Sequence, residues 1–209
     1  MQVELNSKFV QIIISGFLLW FFAVVGTSLV ALTQVETQDQ IEENERQVLL
    51  RNLYALIPKQ LLDNDLAQDT LQIPATSQLG TARETTVYRA RKNGEPVAVI
   101  LSAVAPDGYS GKIHLLVAIY YDGTLAGVRA VKHNETPGLG DAIDERKSRW
   151  IHGFDGKSLD SPAPELWKVK RDGGSFDQIT GATITPRAIV KAVKNTLQYY
   201  HSKREELFQ

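Results

Sequence analysis

One short segment near the carboxyl end of the chain combines small residues and hydroxyl groups just ahead of a predicted helix. It runs from Asp177 to Pro186 as DQITGATITP, and its Gly-Ala pair places Thr183 directly before that helix. Free N–H groups and the positive dipole end at a helix N-terminus stabilise an anion, so they would favour a phosphate held on Thr183 Oγ. From spacing alone, Thr180, Thr183 and Thr185 could equally cap the helix and turn the chain.

Other kinds of chemical site find no support in the sequence. The chain has no cysteine, which excludes disulfides, thiolate metal sites, iron–sulfur ligation by this chain and cysteine nucleophiles. Its four histidines lack metal-ligand spacing, and it has neither the glycine patterns of nucleotide sites nor a G-x-S-x-G elbow. With 23 Lys+Arg against 24 Asp+Glu, it offers no basic field for nucleic acid. The chemistry must therefore use oxygen and nitrogen groups or a cofactor.

The Asp177–Thr183 segment resembles a known modification motif. It matches Asp-x-x-[Ser/Thr]-Gly-Ala-Thr, the flavinylation motif of membrane-anchored FMN-binding domains. The resemblance implies that a flavin transferase moves FMN from FAD onto Thr183 as a phosphoester. It also implies that Asp177 serves recognition, with Thr180, Gly181 and Ala182 beside the cofactor. Arg187 and Lys191, one turn apart on the following helix, would add positive charge near the phosphate.

A second stretch agrees with this family. Residues 135–140, ETPGLG, resemble the family's glycine-rich loop beside the flavin ring, where glycines let the backbone approach a flat ring closely. The resemblance makes five of them candidate FMN contacts: Glu135, Thr136, Gly138, Leu139 and Gly140. Trp150 and Trp167 are further candidates for stacking on the ring. Residues 108–111, GYSG, also resemble a turn of the family.

The amino-terminal part of the chain predicts a membrane anchor at 9–35. These 27 residues carry no charge and 19 of them are apolar, whereas about 20 apolar residues suffice to cross a bilayer core. A cleavable signal peptide is the alternative, but its apolar core would be about 7–15 residues long, and Ala31-Leu32-Thr33 is a poor cleavage site. Lys8 precedes the anchor and acidic residues follow it, which predicts 1–8 in the cytoplasm and the rest outside, in a bacterium the periplasm.

The remaining chain predicts an α+β fold, with an antiparallel sheet and peripheral helices. Apolar residues at helical spacing indicate a juxtamembrane stalk at 36–58, followed by an FMN-binding domain at 59–209. A loop is expected from Asp63 to Gln78. Two hairpins are then expected, with turns at Asn93-Gly94 and Asp122-Gly123, because such dipeptides favour tight β-turns.

Two helices complete the predicted domain. A short one is expected at Asp141–Trp150, where acidic residues open the segment. The last one is amphipathic and is expected to begin with Thr185 as N-cap and Pro186 as its first residue. It is expected to continue to about Lys203.

The order of these parts is similar to that of the G-subunit family of Rnf electron-transport complexes. That resemblance implies an electron-carrying subunit with covalent FMN, without independent turnover, in an ion-translocating ferredoxin:NAD oxidoreductase of the inner membrane. Its partners would be the other membrane and iron–sulfur subunits of the complex. Two alternatives remain open. One is the C-type flavin subunit of a sodium-translocating NADH:quinone reductase, which shares the plan but is generally longer, and the other is a flavin-free membrane-anchored adaptor.

Overall fold

A long amino-terminal helix, α1, precedes an antiparallel sheet in this computed structural model, which describes residues 2–209 but not the side chains of 2–12 and Glu42. The helix runs without a break over Gln2–Leu56. Met1 and the Lys8 side chain, on which the predicted cytoplasmic position of 1–8 rests, lie outside the described residues. The chain divides into two compact units, one ending at Leu49 and the other spanning Leu50–Gln209.

The first unit consists of the helix α1 up to Leu49. Between Ile13 and Val35 its large apolar side chains are 38–77% exposed. Helix α1 is long and apolar enough to cross a bilayer, with a candidate span that begins at Ile13. Lipid would cover the apolar side chains that this helix otherwise exposes to water.

The second unit is built on a five-stranded sheet in which each strand pairs antiparallel with its neighbour in the chain. The strands are β1 (Thr70–Ile73), β2 (Thr85–Lys92), β3 (Glu95–Gly108), β4 (Gly111–Tyr120) and β5 (Leu125–Lys132). Helix α2, Ile184–Phe208, completes the α+β fold, as the sequence predicts. The β2–β3 turn has positive φ at both Asn93 and Gly94, which is the type I′ geometry that an Asn-Gly pair favours.

Both faces of the sheet are covered, at least in part. One face and α2 share a core in which alternate residues of β3, such as Val99 and Leu101, join Ile189 and Val193 of the helix. The last turns of α1 contribute buried side chains such as Leu53 and Leu56. A Cβ placed on Gly127 of β5 would lie 3.0 Å from Leu56 Cδ2, so the end of α1 packs directly on the sheet.

Two local predictions about the sheet surroundings are wrong. The expected loop from Asp63 to Gln78 contains the edge strand β1, whose four residues are too few to show a clear alternation. The expected helix at Asp141–Trp150 is replaced by 3₁₀ turns at Gly140–Ile143 and Trp150–Phe154. Between those turns the Asp144 carboxylate accepts a hydrogen bond from the Arg146 N–H at 2.9 Å, a local bond that competes with helix formation.

The predicted ends of α2 are also wrong. The helix begins at Ile184 with Thr183 at the N-cap, whereas Thr185 is buried inside the first turn. At the other end, α2 continues past Lys203 to Phe208, because tertiary contacts hold its last turn. The ring of Phe208 packs 5.3 Å from that of Tyr121, and its carbonyl accepts a hydrogen bond from Arg91 at 2.6 Å.

Candidate functional site

A pocket of about 350 Å³ lies at the N-terminus of α2. Three segments that are distant in sequence line it: the β3–β4 turn, the loop after β5 and the segment that leads into α2. Its volume falls in the range of about 300–1,000 Å³ that is typical of small-molecule sites. The lining residues are Tyr109, Glu135, Thr136, Leu139, Gly140, Gly181, Ala182, Thr183, Ile184 and Thr185.

Thr183 places a hydroxyl group at the start of α2. It is half-buried at the N-cap position, and its side chain makes no capping hydrogen bond. The hydroxyl has no hydrogen-bond partner anywhere in residues 2–209 as described. The hydroxyl is therefore available for a covalent bond. It lies beside the N–H groups of the first helical turn, which have no partner within the helix and favour an anion.

The turn before Thr183 brings the motif against the glycine-rich loop. Ala182 N–H donates to the Ile179 carbonyl at 3.0 Å, and Gly181 has φ +79° in the third position of this turn. That conformation is the one for which a type II turn requires glycine. A Cβ on Gly181 would also lie 2.7 Å from Leu139 Cδ2, so the two loops pack closely together.

Glu135 joins all three lining segments through its buried carboxylate, since the residue is only 4% exposed. Its Oε1 accepts a hydrogen bond from the Ser110 N–H at 2.9 Å, and its Oε2 accepts a short one from the Thr185 hydroxyl. A Cβ on Gly140 would lie 3.0 Å from Glu135 Oε2 and 3.1 Å from Thr185 Oγ1. Glycine at position 140 is therefore what allows this carboxylate and hydroxyl to meet.

The two cations predicted to assist a phosphate are engaged elsewhere. Arg187 forms a bidentate ion pair with Asp172, with both N–O distances at 2.6 Å, and its guanidinium lowers the pKa of the Asp172 carboxyl below its usual range. Lys191 pairs with Asp107 at 2.7 Å. Neither cation lines the pocket, so of the groups expected to favour a phosphate only the helix terminus lies there.

The pocket collects most of the site residues that the sequence predicts. Glu135, Thr136, Leu139, Gly140, Gly181, Ala182 and Thr183 all line it. Gly138 and Thr180 belong to the same loops but do not line it. Asp177 is exposed and pairs with Lys170 at 2.5 Å.

Sequence reasoning missed three lining residues, namely Tyr109, Ile184 and Thr185. The similarity of GYSG at 108–111 to a family turn was the available signal for Tyr109. For Thr185 the capping pattern pointed to the wrong role, because its hydroxyl bonds to a carboxylate 50 positions away in the chain. Nothing in the local pattern distinguishes that long-range bond from a cap.

The two tryptophans proposed for ring stacking lie outside the pocket lining. Trp167 is 4% exposed and packs against the rings of Phe154 and Phe176, so it belongs to the core. Trp150 instead donates its indole N–H to the Asp177 carbonyl at 2.7 Å. The Trp150 side chain therefore holds the backbone at the start of the motif segment.

Comparisons with known proteins agree with the position of the pocket. The family model described as FMN-binding domain matches residues 108–198, and the RnfG N-terminal region matches residues 1–56. The G subunit of the ion-translocating oxidoreductase complex of Pseudoalteromonas atlantica is 47% identical over 194 residues, 93% of this chain and 90% of that protein. The corresponding G subunit of Pseudomonas aeruginosa is 50% identical over 193 residues, 92% of this chain and 90% of that protein.

A solved structure is also similar. It is the C subunit of the Na⁺-translocating NADH-quinone reductase from Parabacteroides distasonis, with a TM-score of 0.46 and 19% identity. The similarity covers 68% of this chain and 78% of that one. All three segments that line the pocket fall within the residues matched by the FMN-binding domain.

Proposed function

This chain belongs to the G-subunit family of ion-translocating oxidoreductase complexes, and we propose that its Thr183 carries FMN through a phosphoester bond. The chain is an electron-carrying, membrane-anchored flavin subunit of an Rnf complex. The observation that carries the proposed linkage is the unengaged Thr183 hydroxyl, which lies in a pocket inside the FMN-binding match and ends a complete flavinylation motif.

The residues of the pocket fit FMN in three respects. The free hydroxyl of Thr183 and the start of α2 suit a phosphate. Gly140 and Gly181 keep two backbone segments close to the cavity, where a side chain would intrude on Glu135 or Leu139. Tyr109, Leu139 and Ile184 supply apolar surface at the pocket although they are 67%, 42% and 45% exposed, which suits a flat aromatic group.

In the working subunit, the pocket residues would orient the cofactor and limit its contact with water. Bound FMN supplies electron transfer. The α2 N-terminus and the Thr183 ester would fix the phosphate end, while Leu139 and Ile184 would cover apolar parts of the ring. The buried Glu135 carboxylate would hold the three lining segments together through Ser110 and Thr185.

Attachment would require a flavin transferase. In the proposed reaction, Thr183 Oγ bonds to the FMN phosphorus of FAD, the P–O–P linkage breaks, AMP leaves and the hydroxyl proton is released. Thr183 is suited to this role because its hydroxyl makes no hydrogen bond within the described chain that attachment would have to break. The exposed motif residues Asp177 and Thr180 would remain available for recognition by the transferase.

We further propose that residues 9–35 cross the bacterial inner membrane and that the domain after the stalk at 36–58 lies in the periplasm. Lys8 ahead of the anchor, and the absence of Lys and Arg from 36–45 directly after it, support this orientation. The other subunits of the complex are its partners, and we propose that they include iron–sulfur subunits linking ferredoxin to NAD.

The linkage is tested by intact mass of the full chain, purified from cells with and without the flavin transferase. We expect one FMN adduct on the wild type and on Thr183→Ser, and none on Thr183→Ala. Ser175→Ala is the matched control, since this exposed hydroxyl lies just ahead of the motif and outside the pocket lining. An adduct that persists in Thr183→Ala would overturn the assignment. A wild type that stays unmodified with the transferase present would favour the adaptor.

The parent complex is tested by copurification with a tagged chain from native membranes. We expect iron–sulfur subunits and ferredoxin-dependent NAD reduction in the purified complex. Quinone reduction by NADH would instead assign the chain to the sodium-translocating reductase. The domain's side of the membrane is tested separately by protease treatment of spheroplasts, which we expect to remove it while leaving the anchor.

A further inference from the structure

We infer that Glu135 lowers the reduction potential of the cofactor by holding a negative charge at the pocket wall. This inference rests on the proposed FMN site. Among the described residues that line the pocket, Glu135 is the one carboxylate, and no lysine, arginine or histidine accompanies it. Its position in the lining therefore makes it the main ionic influence that this chain exerts on a bound group.

The contacts of Glu135 suit an ionised carboxylate. The Ser110 N–H can only donate, and the Thr185 hydroxyl donates to the other oxygen. An ionised carboxylate accepts through both oxygens and has no proton to place. Both donors are neutral, so they stabilise the charge without cancelling it.

No described cation forms an ion pair with Glu135. Arg187 and Lys191, the nearest basic residues along α2, are paired with Asp172 and Asp107. His133 accepts a hydrogen bond from the Glu135 N–H at its Nδ1, 3.2 Å away, and does not line the pocket. The net charge at the pocket wall is therefore negative.

A fixed negative charge acts on one redox state more than on the other. Reduction adds electrons to a bound flavin, and a nearby carboxylate raises the energy of the state that has gained negative charge. The effect is strong here because Glu135 is only 4% exposed, where water screens poorly. The reduced cofactor therefore becomes a stronger electron donor.

A spectroelectrochemical titration of the full chain in detergent, flavinylated by coexpression with the transferase, tests this role. Glu135→Gln removes the charge and keeps the shape, with the amide oxygen placed to accept from Ser110. We expect its potential to rise, so that the reduced-to-oxidised ratio at the wild-type midpoint increases about tenfold, which is about 30 mV for a two-electron couple. Glu165→Gln, at an exposed carboxylate outside the pocket lining, should keep the wild-type potential.

A second variant covers the case in which Glu135→Gln fails to fold or to load FMN. Thr136→Lys places a cation beside the carboxylate at the half-buried neighbouring position of the pocket wall and should offset its charge, so we expect a potential above that of the wild type. A loaded Glu135→Gln chain with the wild-type potential would overturn the inference, as would an unchanged or lowered potential in Thr136→Lys. A wild-type chain without FMN by intact mass would instead overturn the proposed site itself.

Discussion

Two concavities of the domain differ in character, and the smaller of the two concentrates the chemistry. The pocket at α2 measures about 350 Å³, whereas a groove between residues 80–85 and the ends of β3 and β4 measures about 540 Å³. The groove carries Arg83, Glu84, Lys112 and His114, whose side chains form no ion pair or hydrogen bond within the described part of the chain. The pocket has one carboxylate, which is buried and fully hydrogen-bonded.

The pocket and the groove also differ in the number of exposed apolar side chains that line them. Three large apolar side chains that are exposed in the second unit line the pocket, namely Tyr109, Leu139 and Ile184, whereas Val131 alone of this set lines the groove. An exposed apolar wall beside a satisfied buried polar group is typical of a binding site. A shallow surface with solvated charges is typical of ordinary protein exterior. Volume is therefore a poorer guide to the site than the convergence of distant loops.

Among substitutions at the pocket, Gly140→Ala should have the largest effect on stability and on FMN loading. The new methyl would press on Glu135 and Thr185 at about the 3.0 Å contact distance. We expect a loss of about 1–3 kcal/mol in the free energy of unfolding, as is typical of overpacking, and a sharp fall in FMN loading. Urea denaturation and intact mass measure the two effects. Gly153→Ala is the control, since nothing lies within 4 Å of that position, and equal loading in both variants would contradict the prediction.

A smaller effect is expected from Gly181→Ala. The positive φ of +79° should cost about 1 kcal/mol in stability, and the methyl would displace Leu139. Gly173→Ala is matched to it, because Gly173 has φ +80° but nothing within 4 Å. Both variants should lose similar stability in thermal denaturation, while only Gly181→Ala should slow FMN attachment by the transferase. Equal attachment rates would mean that the contact with Leu139 does not shape the pocket.

The sequence predicted the parts of this site that depend on local chemistry. Asn93-Gly94 forms the expected turn, and most of the residues that the motif and the glycine-rich loop propose for the site line one pocket. It did not predict how Thr185 is used, because a buried carboxylate 50 residues away outcompetes the capping role. The edge strand β1 was missed for a similar reason, since its four residues gain their structure by pairing with β2.

The contribution of Tyr109 should be visible without a change in stability. This ring lines the pocket but is 67% exposed, so Tyr109→Ala should change the free energy of unfolding by less than about 0.5 kcal/mol. Removing it should open the flavin to solvent, which iodide quenching of flavin fluorescence measures. Val131→Ala, at a 43% exposed residue of the groove, should leave quenching unchanged. Identical quenching in both variants would exclude Tyr109 from the flavin contact.

The smallest effect concerns the ion pair between Asp172 and Arg187 at the start of α2. Because Arg187 lowers the pKa of Asp172, the pair stabilises the fold fully above the unfolded pKa of about 3.9 and loses its effect as the pH falls through the lowered folded value. Both side chains are largely solvated, so Asp172→Asn should reduce the melting temperature only slightly at pH 7 and low salt. That difference should vanish toward pH 2.

The matched change in the groove is Lys112→Gln, since Lys112 has no ion pair within the described chain. The difference in melting temperature between Lys112→Gln and the wild type should stay constant between pH 2 and pH 5, whereas the difference for Asp172→Asn should change. The reason is that Lys112 has no charge pair that is lost when carboxylates become protonated. If the effect of Asp172→Asn persists at the lowest pH, the residue acts through packing. In that case the ion pair with Asp172 would not account for the position of Arg187 outside the pocket lining.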